Sequence, residues 1–267
     1  MINVTSAQLY TWIAMFIWPL TRILGLIATA PPFGSASVPM LVKILLGVVM
    51  ALVIAPDVPV PPALDPMSMS GLMILLQQML IGLSMGLAIR IVFAAVEMAG
   101  ELISSTMGLG FAAFFDPQTQ GRTSAISQVF SLLATMVFLS INGHLVLLAV
   151  MAESFHTLPI TATPNTAEGF HQLALWGARI FSMGLQLSLP MLIALLITNL
   201  ALGVLTRAAP QLNLFGIGFP ITLLAGFVLI AIGLPYMLTP MQHFMSDGIE
   251  MMRMLGSVPT IGAPVKP

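Results

Sequence analysis

Arg90, Glu97 and Glu101 are the side chains of this chain best placed to do chemistry together. Their offsets of seven and eleven residues put them within about 20° of one line on a helix turning about 100° per residue. Such a stripe could line a wet or protein-filled interior and move a proton or hold an ionic solute. It could equally be the solvated face of a helix end. Glu97 and Glu101 lie beside an arginine and have no partner histidine, so they do not make a general acid and base pair. The sequence carries no HExxH, GxSxG or Walker pattern, each of which places a nucleophile, base or phosphate cradle at fixed spacing. His144, His156, His171 and His243 are isolated from one another, and there is no cysteine, so neither a metal site nor a cofactor is expected. His144 reads as a hydrogen-bonded structural residue. These residues argue against an enzyme.

A second charge stands where few charges are tolerated. Arg22 falls near the middle of an apolar run over 9–30. An arginine at mid-depth of a bilayer costs about 2.5–3.5 kcal/mol on insertion scales, so it should face protein, water or a carboxylate.

The helices needed to position these groups are set by composition. Of 267 residues, 58% are hydrophobic and 6% charged, and the mean hydropathy is +1.04. Soluble domains carry about 25% charged residues; this is an all-α membrane protein by composition. The basic residues are scattered singly and the net charge is −1, which gives no patch for nucleic acid. The start of the chain lacks a basic n-region and reads as a retained first helix. Six nominal spans follow within one domain over 1–267, at 9–30, 40–56, 71–95, 127–151, 173–199 and 214–238. The third pattern runs helical from Gly71 to about Ser104, about 50 Å at about 1.5 Å per residue, more than a ~30 Å hydrocarbon core needs. The last apolar run ends at Met237, with an amphipathic tail around Met245 to Leu255. Gly82 and Gly86 form a GxxxG that permits close helix approach. Twenty-one methionines are read as filler in apolar helices rather than as a flexible seal. Lys43, Arg90 with Arg122, and Arg207 flank the odd-numbered connections, which the positive-inside rule puts in the cytoplasm.

Between the third and fourth spans lies a stretch at 106–122 that is neither a span nor a polar loop. Gly108 and Gly110 admit unusual backbone angles, Phe111, Phe114 and Phe115 bring large rings together, and Asp116-Pro117 ends the run with a turn signal. Met107 precedes it. Irregular backbone facing lipid would leave amides unpaired at several kcal/mol each, so the stretch needs a protein-lined place to pack. It suggests either a closure element in a conduit or a buried connecting loop without a gating role.

Three stretches together resemble one family: Arg22 to Phe33, the run from Ala99-Gly100 through Gly108 and Asp116-Pro117 to Gly143-His144, and Asn199 to Pro220 with its Arg207-x-x-Pro210-Gln211-x-Asn213-x-Phe215 pattern. The chain resembles the FliR family of flagellar type III export proteins over nearly its whole length. The resemblance implies a subunit of a closed helical export gate in bent helical hairpins, assembled with FliP-like and FliQ-like subunits beside a FlhB-like one. It implies unfolded exported chains as cargo, contact with membrane lipid, and a place in the bacterial inner membrane and flagellar basal body, toward the periplasmic side. It also implies that the loop matching Gly108 to Gly121 plugs the pore, so that the part at Met107 to Pro117 is expected to close the conduit, and that the gate is raised from the bilayer, against six simple spans. Arg22, Phe33, Asn199, Arg207, Pro210, Gln211, Asn213 and Phe215 are then expected to pack against partners, with Arg90, Glu97 and Glu101 holding the helix that carries the loop. The competing reading is a multi-pass small-solute or proton-coupled transporter using Arg22, Glu97 and Glu101; a purely structural scaffold is a third.

Overall fold

A computed structural model of the chain describes residues 6–60, 62, 64–111, 124–161, 167–209 and 218–257, and every regular element among them is helical. The helices are α1 (Ser6–Thr29), α2 (Met40–Ile54), α3 (Met69–Thr106), α4 (Ala125–Ser140), α5 (Gly143–Thr157), α6 (Ala167–Gly177), α7 (Arg179–Ala208) and α8 (Phe219–Leu255). Short 3-10 turns follow α2 (Ala55–Asp57) and α3 (Leu109–Phe111). The stretches Tyr10–Thr29, Met40–Asp57, Met69–Thr106, Glu168–Ala208 and Phe219–Leu255 are long and apolar enough to cross a membrane, and α4 with α5 would add a sixth as one broken span. The uninterrupted apolar pattern after Gly71 is the single helix α3, and the amphipathic tail around Met245 to Leu255 is the end of α8, which runs on through Pro235 and Pro240. Helix-interior prolines are tolerated in apolar helices where neighbouring groups satisfy the freed carbonyls.

The chain divides into two compact units. The first holds residues 1–91, 142–177 and 246–267. Here α1 and α3 approach to backbone contact: a methyl group on Gly25 would stand 2.8 Å from the Met79 carbonyl oxygen, and one on Gly82 would land on the carbonyl of Arg22. Gly86 opens the same space for the Thr29 hydroxyl, which donates to the Gly25 carbonyl at 3.1 Å and faces the Leu83 carbonyl at 3.2 Å. The GxxxG is therefore a packing surface, built because only glycine leaves room for two backbones. α2 lays Gly47 on Leu24 and buries Met50 and Ala51, while Leu41, Leu45, Leu52 and Val53 on its other sides are exposed. Trp176 of α6 donates its indole N–H to the Ala88 carbonyl of α3 at 3.0 Å. His156 Nε2, at the end of α5, lies 3.0 Å from Asp57 Oδ2.

The second unit holds residues 92–141 and 178–245. Its α4 begins with a capping serine: Ser124 Oγ accepts from the Ser127 N–H at 3.2 Å, satisfying one of the donors that a helix start leaves open. Ser127 sits in a notch at Gly100, where a methyl would come within 2.7 Å of the Ser127 Cα. Phe93 and Phe138 meet edge to face at 5.8 Å between ring centroids. Gly184 lets α7 approach the Ala95 carbonyl of α3, which would lie 3.0 Å from an added methyl.

Burial separates α3 from the rest. Its most apolar stretch is 67% buried, against 17% for those of α2, α6–α7 and α8. The faces left open on α7 include Phe181, Leu189, Ile193, Leu196 and Leu200. Apolar area of this extent is not stable against water, so lipid or other protein must cover it.

Candidate functional site

Within the first unit, Arg22 is wholly buried. Its Nε–H donates to Gln78 Oε1 at 2.7 Å, one terminal nitrogen donates to the Ser154 carbonyl at 2.9 Å and to Ser154 Oγ at 3.1 Å, and the other donates to the Leu158 carbonyl at 3.0 Å. The guanidinium carbon stands 4.4 Å from the centre of the Phe155 ring, where the ring face attracts a cation. The arginine faces protein, as its position in the sequence requires, but its hydrogen-bond partners are neutral oxygens rather than a carboxylate. It joins α1, α3 and the C-terminal end of α5, where the Ser154 carbonyl also accepts from the Leu158 N–H at 2.9 Å. Gln78 Nε2 and Trp18 Nε1, both buried, have no hydrogen-bond partner among the described residues.

Within the second unit, the C-terminal end of α3 is held from two sides. The Met107 N–H donates to the Ile103 carbonyl at 2.9 Å, and the Gly108 N–H to the Ser105 carbonyl at 3.0 Å. Gly108 has φ 86, the left-handed conformation that glycine adopts without penalty and that commonly stops a helix. The carbonyl of Thr106 accepts from Asn199 Nδ2 of α7 at 3.3 Å, and that of Met107 faces Thr222 Oγ1 of α8 at 3.4 Å. The Met107 side chain is completely buried and lies against Gly226, where an added methyl would be 2.5 Å from its Cε. No local spacing encodes these two contacts, because Asn199 and Thr222 lie 93 and 115 residues from their partners.

The remaining predicted residues are distributed as follows. Along α3, Arg90 and Glu101 are exposed and Glu97 is half-buried. Glu97 Oε1 accepts from Ser131 Oγ at 2.9 Å, its carbonyl accepts from Ser127 Oγ at 2.8 Å, and Glu101 Oε2 accepts from the Ser124 N–H at 3.2 Å. The Glu101 carboxylate thus bonds to the cap of α4 and the Glu97 carboxylate to Ser131 in its second turn. Gly110 is exposed and Phe111 closes the 3-10 turn. Phe33 is half-buried in the turn after α1, and Arg207 is exposed in the last turn of α7, where a cation favours the helix dipole. Phe114, Phe115, Asp116 and Pro117 of the loop, and Pro210, Gln211, Asn213 and Phe215 of the motif, lie outside the described residues. His144 Nδ1 is buried without a hydrogen-bond partner among the described residues, so the expected hydrogen bond is not made at that nitrogen. No group of three or more metal-ligating side chains occurs among the described residues.

Long apolar helices, a buried arginine bonded to neutral oxygens and broad uncovered apolar faces define an all-α membrane protein. Residues 13–248 match the family described as bacterial export proteins, family 1. Among curated proteins, the chain is 41% identical over 252 residues to the flagellar biosynthetic protein FliR of Pectobacterium carotovorum subsp. carotovorum, covering 94% of this chain and 96% of that one. It is 41% identical over 247 residues to FliR of Escherichia coli (strain K12), covering 92% and 94%. At 30% identity it still covers 90% of its own length and 93% of FliR of Bacillus subtilis (strain 168). The chain belongs to the bacterial export protein family 1.

Proposed function

We propose that this chain is a subunit of the flagellar type III protein export gate. With FliP-like and FliQ-like subunits, and beside a FlhB-like one, it forms the conduit through which unfolded flagellar subunits leave the cell. The observation that carries the reading is likeness along the whole chain, 41% identity over 94% of its length and 96% of a relative named for flagellar biosynthesis. The uncovered faces of α2, α7 and α8 support it, since a subunit packed among helical partners needs such faces.

The gate works passively in this reading. The stretch after Met107 closes the conduit, a moving chain displaces it, and other components supply the energy. Support comes from the sequence of that stretch and from Gly108, whose positive φ ends α3 just before the turn Leu109–Phe111. Glu97 and Glu101, bonded to Ser131 of α4 and to its cap Ser124, hold the helix that carries it. Phe33 and Arg207, with the motif at Pro210 to Phe215, face partner subunits. The chain acts without catalysis, in the inner membrane and basal body, toward the periplasmic side. The test is a chromosomal deletion, which should abolish export of hook and filament subunits and be restored by the intact chain. A deletion strain with normal export would refute the proposal.

A further inference from the structure

We infer that α7 and α8 share a hydration boundary at the level of Gln186 and Tyr236. Beyond it a polar rim, made of Arg179, Ser182 and Gln186 on α7 with Tyr236, Thr239 and His243 on α8, stands in water, and the apolar cover of the two helices stops there. This boundary is a property of the surface and does not depend on the gate reading above.

The parts concerned lie within residues 178–245 of the second unit, where three contacts fix their relative level. Asn199 and Thr222 reach the neighbouring carbonyls of Thr106 and Met107, so they stand at one height. Further along, a methyl group on Gly233 would collide with the Met191 Cε. Moving back along α7 from Asn199 to Met191 therefore means moving forward along α8 from Thr222 to Gly233, and the helices are antiparallel. Continued by about one turn, the same course brings Gln186 to the level of Tyr236, and it sets Pro190 and Pro235 at one height.

The exposed side chains change character at that level on both helices. Over 189–205 the exposed residues of α7 include Ile193, Leu196 and Leu200, and over 219–235 those of α8 include Leu224, Phe227 and Ile232. No exposed residue in either stretch has a polar side chain. Each stretch is about 25 Å long at about 1.5 Å per residue. The polar side chains within them are turned to carbonyls: Thr198 donates to that of Ala194, Asn199 to that of Thr106 and Thr222 to that of Phe219. Past the boundary, exposed Phe181, Leu185 and Leu238 are interspersed with the polar residues of the rim, all of them exposed. That mixture is the one found on ordinary water-facing surfaces. Tyr236, 79% exposed, stands on the line itself, where an aromatic ring with a polar tip is favoured.

The prolines add a backbone reason. Pro190 and Pro235 have no N–H to give to the carbonyls four residues earlier, those of Gln186 and Ala231. A carbonyl released from the helix ladder is costly in an apolar setting and tolerated where water reaches it. Gln186 belongs to the rim, and Ala231 lies about one turn from it.

The chain has no cysteine, so a single introduced thiol reports its own surroundings. The test is labelling by a charged, water-soluble maleimide in membranes opened to both sides, with labelling after denaturation as the total. Ser182→Cys, Thr239→Cys and His243→Cys sample the rim; Ile193→Cys, Leu200→Cys and Leu224→Cys sample the apolar stretches. Rim thiols should react about tenfold faster or more, since the thiolate is the reactive form and apolar surroundings suppress it. Each zone is sampled on both helices, so one variant that fails to accumulate leaves the comparison intact. Equal rates in the two zones would overturn the boundary. So would a step at different levels on the two helices, read from Gln186→Cys against Leu189→Cys and from Tyr236→Cys against Ile232→Cys. Rim thiols blocked in membranes and reactive only in the purified chain would show that a protein partner covers the rim, and would overturn its place in water.

Discussion

Arg22 and Gln78 meet in the interior of the first unit with Nε and Oε1 2.7 Å apart, while the other end of the same amide, Nε2, is buried with nothing to bond among the described residues. The arginine has a neutral partner where a charged one would fit. A buried cation is expensive to desolvate, and a carboxylate offsets that cost when the geometry is good.

Replacing Gln78 by glutamate removes the orphaned donor and adds a counter-charge. The variant Gln78→Glu should therefore be at least as stable as the parent, whereas Arg22→Met should lose about 2–5 kcal/mol by leaving several buried acceptors unpaired. Thermal unfolding in mild detergent measures both. A Gln78→Glu variant as damaged as Arg22→Met would show that the node does not tolerate a charge pair.

Glycine substitutions should separate contact from mere helix membership. At Gly82 an added methyl collides with the Arg22 carbonyl, while at Gly203 nothing lies within 4 Å. Gly82→Ala should cost about 1–3 kcal/mol through forced backbone shifts, and Gly203→Ala should be neutral or gain up to about 1 kcal/mol from helix propensity. Accumulation of each variant in the membrane reads the difference, and equal behaviour would argue against the close approach of α1 and α3.

Part of this arrangement was legible in the sequence. An arginine in the middle of an apolar run has few tolerable places, so the inward course of Arg22 followed from its cost in lipid. The length of α3 followed from an unbroken pattern without proline. Other features depend on contacts that no local pattern encodes. Gly82 and Gly86 read as a common motif until Arg22 and Thr29 stood opposite them. Asn199 read as a residue facing partners, yet its amide reaches the end of α3. The run of α8 past Met237 was hidden by Pro235 and Pro240, which end helices in water but not where apolar neighbours hold them. The Arg90, Glu97 and Glu101 stripe was visible as a line on a helix, but Ser124, Ser127 and Ser131 as partners of its two carboxylate residues were not.

The start of α4 offers a smaller test. Ser124 Oγ caps the Ser127 N–H while its own N–H goes to Glu101, so one serine joins the two helices. Ser124→Ala should cost about 1 kcal/mol, the usual loss for a removed N-cap, and Ser124→Asp should recover the cap but place a second carboxylate beside Glu101. Unfolding midpoints of the two variants should both fall below that of the parent. A Ser124→Asp variant more stable than the parent would mean that the Glu101 contact contributes little.

The measurement that bears most directly on the central claim is affinity purification of the intact chain from its own membranes in mild detergent, with mass spectrometry of what remains bound. A gate subunit should bring FliP-like and FliQ-like proteins with it in one stable particle, because the faces of α2, α7 and α8 are uncovered in the chain alone. A folded, monodisperse particle holding only this chain, with those faces covered by detergent and lipid, would contradict the export-gate account.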